Sequence, residues 1–246
     1  MPTAIAAPRS ATVETVAHRG ANLLRTENTL PAFAVALDEG ADAIELDVHA
    51  TIDGVVIVHH DPDAVDTAAG KTRKSLASLT WETAQSIRLR GGERIPRLSE
   101  ILDLAAGRAR VYVEIKGTGI EQAVAQAIAG SQCDCAVHSF DHEGVGRMRD
   151  LLPELPRGLL LDEGDVRGNT ACALLKRYAA RDLWPHESLV DEAMVESVRA
   201  CGGRIVAWTV NDVTRARALA SLGVDALCSD DVPLIGRALA SMRSGG

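Results

Sequence analysis

The sequence predicts an α/β fold, a (β/α)8 TIM barrel with a small insertion after the second strand. Short apolar or β-branched runs alternate along the chain with longer segments of helical periodicity, which is the pattern of repeated βαβ units. Eight such units in 246 residues match the size and rhythm of this barrel. An open doubly wound sheet is the alternative, but no Gly-x-Gly-x-x-Gly motif follows the first strand.

The predicted strands are short and the predicted helices are longer, with glycine at several of their ends, as is typical of helix C-termini. The strand segments are TVAHR, AIELDV, VYVEIK, CAVHSF, GLLL, DLWP, IVAWTV and DALCS. The helical segments are TLPAFAVALDEG, LSEILDLAAG, GIEQAVAQAIAG, DHEGVGRMRDLL, TACALLKRYAAR, VDEAMVESVRACG, VTRARALASLG and VPLIGRALASMRS. Because no linker or solenoid repeat divides them, residues 1–246 are predicted to form one domain, with 62–95 as the insertion.

The composition favours a small-molecule partner. A formal net charge of −8 without a lysine- or arginine-rich block is unlike a nucleic-acid-binding protein. No apolar run approaches the roughly 20 residues of a membrane span, and Pro2 and Pro8 interrupt the N-terminal segment, which lacks the apolar stretch of a secretory leader. Five cysteines without Cys-x-x-Cys spacing predict reduced thiols rather than disulfides or a zinc site. These features predict a cytoplasmic protein.

Polar and aromatic side chains recur where the predicted strands end. They are His18, Arg19, Glu45, Asp47, Glu114, Lys116, His138, Ser139, Phe140, Trp184, Trp208 and Asn211. In a barrel these positions surround the C-terminal rim, where barrel enzymes hold their active sites. Phe140, Trp184 and Trp208 either line the mouth of a substrate pocket or plug the upper layer of the barrel.

Two carboxylates in the second strand are candidates for a metal site. Glu45 and Asp47 lie two residues apart, so both point to the same face of the strand. Two anions there repel each other unless a cation binds them, which favours a hard metal with oxygen ligands. Glu114 supplies a third oxygen. Ion pairs with lysine or arginine are the alternative, and spacing alone does not decide between the two.

The segment after the second strand predicts a β-hairpin. Asp53-Gly54 is a strong signal for a two-residue loop between the runs on either side. In that register His60 lies opposite Asp47 and shares its face, whereas His59 points the other way. A longer turn or a bulge would exchange the two histidines.

The remaining polar groups of this corner suit phosphoryl chemistry. His18 and His60 would flank the bound cation and form an acid/base pair, and Arg19 and Lys116 add positive charge for a phosphate. In the segment TENT, Asn28 is predicted to cap the following helix or organise the loop. Glu27 is predicted to cap, to orient Arg19 or to contact the cation.

The motifs HRG, ENTLPAF, IELDVHATIDGVVIVHHD, ERIPRLSEIL, VEIK, SFD and WTVN occur in this order over nearly the whole chain. With them the sequence resembles the glycerophosphodiester phosphodiesterase family. The resemblance implies a (β/α)8 barrel that hydrolyses phosphodiesters. It also implies a divalent cation, Mg2+ or Ca2+, bound by Glu45, Asp47 and Glu114.

The same resemblance assigns roles to the other groups. His18 and His60 match the family's catalytic pair, Arg19 matches its phosphate-contacting arginine, and Lys116 matches a lysine near the site. The implied reaction is attack of a substrate hydroxyl on phosphorus, followed by opening of the cyclic phosphate by water. Asn211 is a supporting residue of the same rim.

Three other functions stay open at this stage. A cyclising enzyme of the sphingomyelinase D type would use nearly the same residues and release the cyclic phosphate. A catalytically silent barrel would bind a phosphate ligand without needing two histidines, and an aldolase would use Lys116 as a Schiff base. The insertion departs from the family pattern and contains one aromatic residue, Trp81. It therefore does not establish specificity for a glycerol-linked headgroup, and a sugar-linked diester stays open.

Overall fold

Residues 12–165 and 170–244 are described by a computed structural model and form a closed barrel of parallel strands surrounded by helices. Its strands are β1 (Glu14–His18), β2 (Ala43–Ala50), β3 (Val56–Val58), β4 (Asp63–Asp66), β5 (Thr72–Ser75), β6 (Arg110–Ile115), β7 (Cys135–Ser139), β8 (Arg157–Leu161), β9 (Asp182–Pro185), β10 (Arg204–Ala207) and β11 (Ala226–Ser229). Its helices are α1 (Leu30–Asp38), α2 (Trp81–Ala84), α3 (Leu98–Ala105), α4 (Glu121–Ala129), α5 (His142–Leu151), α6 (Ala171–Tyr178), α7 (Glu192–Ala200), α8 (Val213–Leu222) and α9 (Val232–Ser244).

The barrel wall consists of β1, β2 and β6 to β11. Each of these strands pairs in parallel with its neighbours, and β1 closes the barrel by pairing with both β2 and β11. All eight strand segments expected from the sequence lie in this wall, so the predicted fold is confirmed. The strand β3 is antiparallel to β2 and extends the sheet outside the barrel.

The interior of the barrel is filled by one or two buried side chains from each of the eight wall strands. A buried cluster contains Val16, Ala43, Tyr112, Ala136, Leu160, Trp184, Val206, Ala226 and Cys228. Since side chains alternate between the two faces of a strand, residues two positions further along point the same way. His18, Glu45, Glu114 and His138 stand in that relation to Val16, Ala43, Tyr112 and Ala136. The polar site therefore sits directly above the apolar plug of the barrel.

The loop after β1 depends on a glycine. Gly20 has φ +80°, and a Cβ atom there would lie 2.8 Å from the backbone carbon of Ala32 in α1. Glycine thus allows the loop to pack against the helix. The predicted capping role of Asn28 is wrong: Thr29 is the N-cap residue of α1, and its side chain makes no capping bond.

The hairpin differs from the sequence prediction by one residue. Ala50 pairs with Val56, and the backbone N–H of Thr51 donates to the carbonyl of Val55 (3.0 Å), so the loop has three residues rather than two. Two contacts with the insertion favour the longer loop. The N–H of Ile52 donates to Leu79 O (2.9 Å), and the carboxylate of Asp53 accepts from Trp81 N (3.0 Å).

The insertion has a small core of its own. β4 and β5 pair as an antiparallel ribbon, and α2 follows them. Buried residues of the ribbon, its flanking turns and β3 form one cluster: Ile57, Ala64, Leu76, Ile87, Leu89 and Ile95. Segment 62–95 is thereby attached to the hairpin that follows the β2 site residues.

Three observations concern the cysteines, membrane-spanning helices and the N-terminal segment. All five cysteines are free. Among the described helices, none combines the length and the apolar character needed to cross a membrane. Pro2 and Pro8, on which the expectation about a leader depends, lie outside the described residues.

Candidate active site

A cleft of about 480 Å³ opens between the loop after β1, the end of the hairpin and the insertion. Its lining residues are Thr26, Glu27, Asn28, His59, His60, Asp61, Asp63, Val65, Thr67, Lys71, Leu89 and Arg90. This volume is typical of a small-molecule pocket. The insertion supplies half of this lining, so it forms one wall of the cleft.

His18 ends β1 and is held by an aspartate that follows β11. Its Nδ1 lies 2.7 Å from Asp230 Oδ1. Asp230 also accepts hydrogen bonds from the side-chain amides of Asn22 and Asn211. Burial opposes protonation of His18, but its hydrogen bond to Asp230 and the charge of Glu45 outweigh burial and raise the pKa of the imidazole. The same hydrogen bonding lowers the pKa of Asp230 to about 2, against the effect of its burial.

The three predicted metal carboxylates are buried and close together. Register places His18 beside Glu45, and Asp47 beside Glu114. Asp47 is fully buried, and its Oδ1 has no hydrogen-bond partner in the described structure. A buried carboxylate oxygen without a partner is costly in free energy. A cation or a further donor would satisfy it, so this oxygen fits a cation site.

Lys116 compensates part of this negative charge. Lys116 Nζ lies 2.8 Å from Glu114 Oε1 and 3.5 Å from Asp47 Oδ1. Burial and the charge of Asp47 nevertheless raise the pKa of Glu114 to about 7. Burial disfavours the charge on Lys116, but both carboxylates outweigh it and raise the pKa of the amine. A protonated amine does not attack a carbonyl, so this environment argues against Schiff-base chemistry.

Arg19 is fixed between the loop and the carboxylates. Its Nε lies 3.1 Å from Asp47 Oδ2, and its NH1 donates to Glu27 Oε1 (3.1 Å). Of the three roles expected for Glu27, the structure therefore shows the orientation of Arg19. The amide of Asn28 donates to Asp47 Oδ2 (2.8 Å), while its carbonyl oxygen accepts from Asp47 N (3.3 Å). Asn28 thus organises the site rather than the helix.

The longer hairpin loop changes the argument for the two adjacent histidines. His59, not His60, is now opposite Asp47, and its N–H donates to Asp47 O (3.0 Å). The paired ladder ends at Val58, however, so alternation no longer determines where either imidazole points. His59 Nδ1 contacts the backbone carbonyl of Asp61 (3.0 Å), whereas His60 Nδ1 contacts the Asp61 carboxylate (2.8 Å). Both side chains line the cleft.

The three aromatic residues separate into two groups. Phe140 is 44% exposed and packs edge-to-face against Trp208, with 5.6 Å between ring centroids, so this pair lies at the rim. Trp184 is only 1% exposed and stacks on His138. A direct contact of Trp184 with substrate is therefore not supported, and of the two roles expected for it the structure shows the interior plug.

Two residues of the site have no role in the sequence prediction. Asp230 follows the last strand segment directly, which is the signal that could have identified it. His138 is recognisable as a strand-end histidine, but nothing in its own segment indicates a partner. In the structure Glu45, Glu114 and His138 each have one possible metal-ligand atom within 4.8 Å of those of the other two. Among the described residues this is the one group of three or more possible metal ligands.

Comparison with known proteins adds relatives of the whole barrel. YhdW of Bacillus subtilis (strain 168), whose name provisionally assigns it glycerophosphodiester phosphodiesterase activity, is 32% identical over 230 residues, covering 87% of this chain and 93% of YhdW. A glycerophosphodiester phosphodiesterase of Caldanaerobacter subterraneus subsp. tengcongensis is 30% identical and covers 88% and 93%. An Oleispira antarctica phosphodiesterase, solved with the product sn-glycerol-3-phosphate, has the same fold, with a TM-score of 0.82 at 22% identity over 93% and 97% of the two chains.

The family model agrees with these relatives. The model of the glycerophosphoryl diester phosphodiesterase family matches residues 18–234, which include most of the barrel, the insertion and the site residues described above. The chain therefore belongs to the glycerophosphoryl diester phosphodiesterase family and is a phosphoric diester hydrolase.

Proposed function

We propose that this protein hydrolyses a glycerophosphodiester, or a similar small phosphodiester, to an alcohol and a phosphomonoester through a cyclic phosphate. The observation that carries the proposal is the arrangement around the buried carboxylates. His18 and His60 each have Nδ1 next to an aspartate carboxylate, while Arg19 and Lys116 provide two cations beside the acidic group. This is an acid/base pair next to a phosphate-binding charge. The sn-glycerol-3-phosphate bound to the Oleispira antarctica enzyme supports a small glycerol-linked substrate.

Glu45, Asp47 and Glu114 would hold one divalent cation, Mg2+ or Ca2+. Their oxygens are the ligand type that both ions prefer, and the Oδ1 of Asp47, which has no hydrogen-bond partner among the described residues, supports such an occupant. When bound, the ion neutralises phosphate charge as a Lewis acid. Among these three residues, Glu45 and Glu114 have ligand atoms within 4.8 Å of each other and of His138, whereas Asp47 is held by Arg19 and Asn28.

The two histidines would move protons in opposite directions. With Nδ1–H donated to Asp230, neutral His18 has its Nε2 lone pair free to accept the proton of a substrate hydroxyl. As that oxygen bonds to phosphorus, the bond from phosphorus to the leaving alcohol breaks, and His60 donates a proton to the alcohol. In the second step His60 accepts a proton from water and the water oxygen bonds to phosphorus. The bond from phosphorus to the ring oxygen breaks, and His18 returns its proton to that oxygen.

Phosphorus NMR tests the proposed reaction directly. Purified enzyme is incubated with glycerol-linked and sugar-linked phosphodiesters, with Mg2+ or Ca2+. We expect the diester signal to be replaced by a phosphomonoester, with a transient cyclic phosphate. A double variant in which His18 and His60 are alanine is the matched control. Accumulation of the cyclic phosphate as the final product would favour the cyclising alternative, and no reaction with any diester would favour a binding protein.

Replacement of Arg19 by lysine is expected to reduce kcat/KM. Arginine contacts two phosphate oxygens with a planar fork, whereas lysine keeps the charge but loses that geometry. Hydrogen bonds to charged groups are worth about 1.5 to 3 kcal/mol, so the loss should be roughly 10- to 100-fold. Arg25→Lys, an exposed arginine of the same loop, is the control. Normal turnover with reduced thermal stability would indicate that Arg19 only forms ion pairs within the protein, with Glu27 and Asp47.

Replacement of Asp230 by asparagine is expected to shift the pH profile of kcat/KM. The carboxylate raises the pKa of His18, and His18 must be neutral to act as base. Without that charge its pKa falls, so the acidic limb should move to lower pH while the plateau rate decreases through poorer orientation. Asp231→Asn, which changes the adjacent aspartate at the start of α9, should leave the limb in place. An unshifted limb in Asp230→Asn would contradict the pairing.

The same pair makes a prediction about stability. The pKa of His18 is raised above 6.5, so its contribution is complete below pH 6.5 and is lost as pH rises through the folded-state pKa. The pKa of Asp230 is lowered from 3.8 to about 2, so its contribution is complete above pH 3.8 and is lost as pH falls towards 2. Thermal melts of wild type and Asp230→Asn should therefore differ most between about pH 4 and 6.5.

The setting of the enzyme is also part of the proposal. We infer that it acts in the cytoplasm on a small molecule rather than on nucleic acid. The free cysteines support a reducing compartment, and the net charge of −8 is unfavourable for binding a polyanion.

A further inference from the structure

The upper interior of the barrel contains an imidazole that the proposed reaction does not use. His138 lies on β7 next to Glu114 in the register, one strand further from β2. It is 1% exposed, and its Nε2 lies 3.7 Å from Glu45 Oε1. That separation is too long for a hydrogen bond. Its Nδ1 is buried and has no hydrogen-bond partner in the described part of the chain.

The plane of the His138 ring is fixed by a neighbouring indole. Trp184 stacks on His138, with 4.1 Å between the ring centroids and 2° between the planes. The indole fits because residue 158 on the intervening strand is glycine: a Cβ atom there would lie 2.6 Å from Trp184 Cδ1. Gly158 and Trp184 thus fix the plane of the imidazole, in which Nε2 is the ring nitrogen near Glu45. Fixed orientation of a ligand ring is a general feature of metal centres.

We propose that His138 is a nitrogen ligand of the metal centre, together with Glu45 and Glu114. This rests on the cation site of the proposed function. Ligands about 2.1 Å from one ion lie about 3.0 to 4.2 Å apart, depending on the angle between them, and the 3.7 Å between His138 Nε2 and Glu45 Oε1 is within that range. With the proton on Nδ1, the lone pair of Nε2 is free for the ion.

The nitrogen changes which ions the centre prefers. Mg2+ and Ca2+ favour oxygen ligands, whereas imidazole favours first-row transition metals. A centre of carboxylates and one imidazole should therefore bind Mn2+ or Co2+ more tightly, relative to Mg2+, than a centre made of carboxylates alone. An ordinary imidazole–carboxylate contact with Glu45 is the competing explanation, and it predicts no such preference.

Pulsed EPR of the Mn2+-loaded enzyme distinguishes the two explanations without relying on turnover. Metal-stripped protein is titrated with Mn2+, and the spectrum is searched for coupling to an imidazole nitrogen. We expect this coupling in wild type, its loss in His138→Gln, and its retention in a variant with alanine at His18, His59 and His60. His142→Gln, a histidine of α5 that contacts the carbonyl of Leu160, is the matched control and should keep it.

Affinity provides a second readout. His138→Gln should weaken Mn2+ binding at least tenfold, since loss of even an outer partner of a metal ligand typically costs about 10- to 100-fold, while Mg2+ binding should change much less. If His138→Gln does not fold, the coupling in wild type and in the triple-alanine variant decides the question. No nitrogen coupling in wild type, or its loss in the triple variant, would overturn ligation by His138. Hydrolysis measured by phosphorus NMR with Mg2+ would be unaffected by that outcome, so the proposed function would stand.

Discussion

His60→Ala is expected to lower kcat/KM by about 10²- to 10⁴-fold, the usual contribution of a general acid or base, while His59→Ala keeps most of the activity. His60 Nδ1 contacts the carboxylate of Asp61, which leaves Nε2 for the substrate. Burial raises the pKa of Asp47, but the charges of Arg19 and Lys116 and, to a smaller extent, of His60 lower it, and the net shift is downward. Steady-state hydrolysis with Mg2+ or Ca2+ measures both variants, and Mn2+ binding shows whether the metal centre is intact.

The leaving group separates the two proposed proton roles. A substrate with a highly acidic leaving alcohol needs no protonation of that alcohol, so it should recover much of the rate in His60→Ala. The same substrate should not rescue His18→Ala, because its nucleophile still needs a base. If His59→Ala is inactive and His60→Ala is active, the imidazole opposite Asp47 in the observed register is the catalytic one, and the assignment of His60 is wrong.

Removal of the cation is expected to abolish turnover. Excess EDTA should stop hydrolysis, and added Mg2+ or Ca2+ should restore it, because the phosphate would otherwise face three buried carboxyl groups. Glu45→Gln and Glu114→Gln should each weaken metal binding at least tenfold, since loss of a ligand costs no less than the roughly 10- to 100-fold of an outer partner. Calorimetric titration of the stripped protein measures this effect. Glu27→Gln should cause a smaller loss, since Glu27 contacts Arg19.

Asp47 is the most informative residue in that series. The resemblance to the family predicts a ligand, and its buried Oδ1 has no hydrogen-bond partner among the described residues. Its Oδ2, however, accepts from Asn28 and lies next to Arg19. We expect Asp47→Asn to weaken metal binding as strongly as Glu45→Gln. Normal metal affinity with impaired phosphate binding would contradict ligation by Asp47. Full activity in excess EDTA would refute the metal requirement itself.

The sequence alone predicted the barrel, because its evidence is local and repeated. Each strand segment has its own apolar pattern, and each is followed by a helix with its own periodicity, so no long-range information is required. The position of the site followed from the same rule, since a side chain at the end of a parallel strand must lie at the C-terminal rim. Glu45 and Asp47 share a face because they are two residues apart, and the structure places both inside the barrel.

The tertiary structure decided the contacts between segments that lie far apart in the chain. The hairpin loop has three residues because Leu79 and Trp81 of the insertion bind Ile52 and Asp53, which no property of the turn itself reveals. Likewise, Asp230 reaches His18 across 212 positions only because β11 closes the barrel against β1.

The same reason explains Trp184 and His138. Whether a strand-end aromatic lines a pocket or fills the interior depends on the size of its neighbours across the sheet. Here Gly158 leaves room for the indole to stack on His138, and that stacking fixes the plane of an imidazole whose Nε2 lies 3.7 Å from Glu45. The sequence by itself determined the fold and the set of polar residues at its rim. Which of them face one another was decided by closure of the barrel, because side chains from different strands meet only when the sheet is complete.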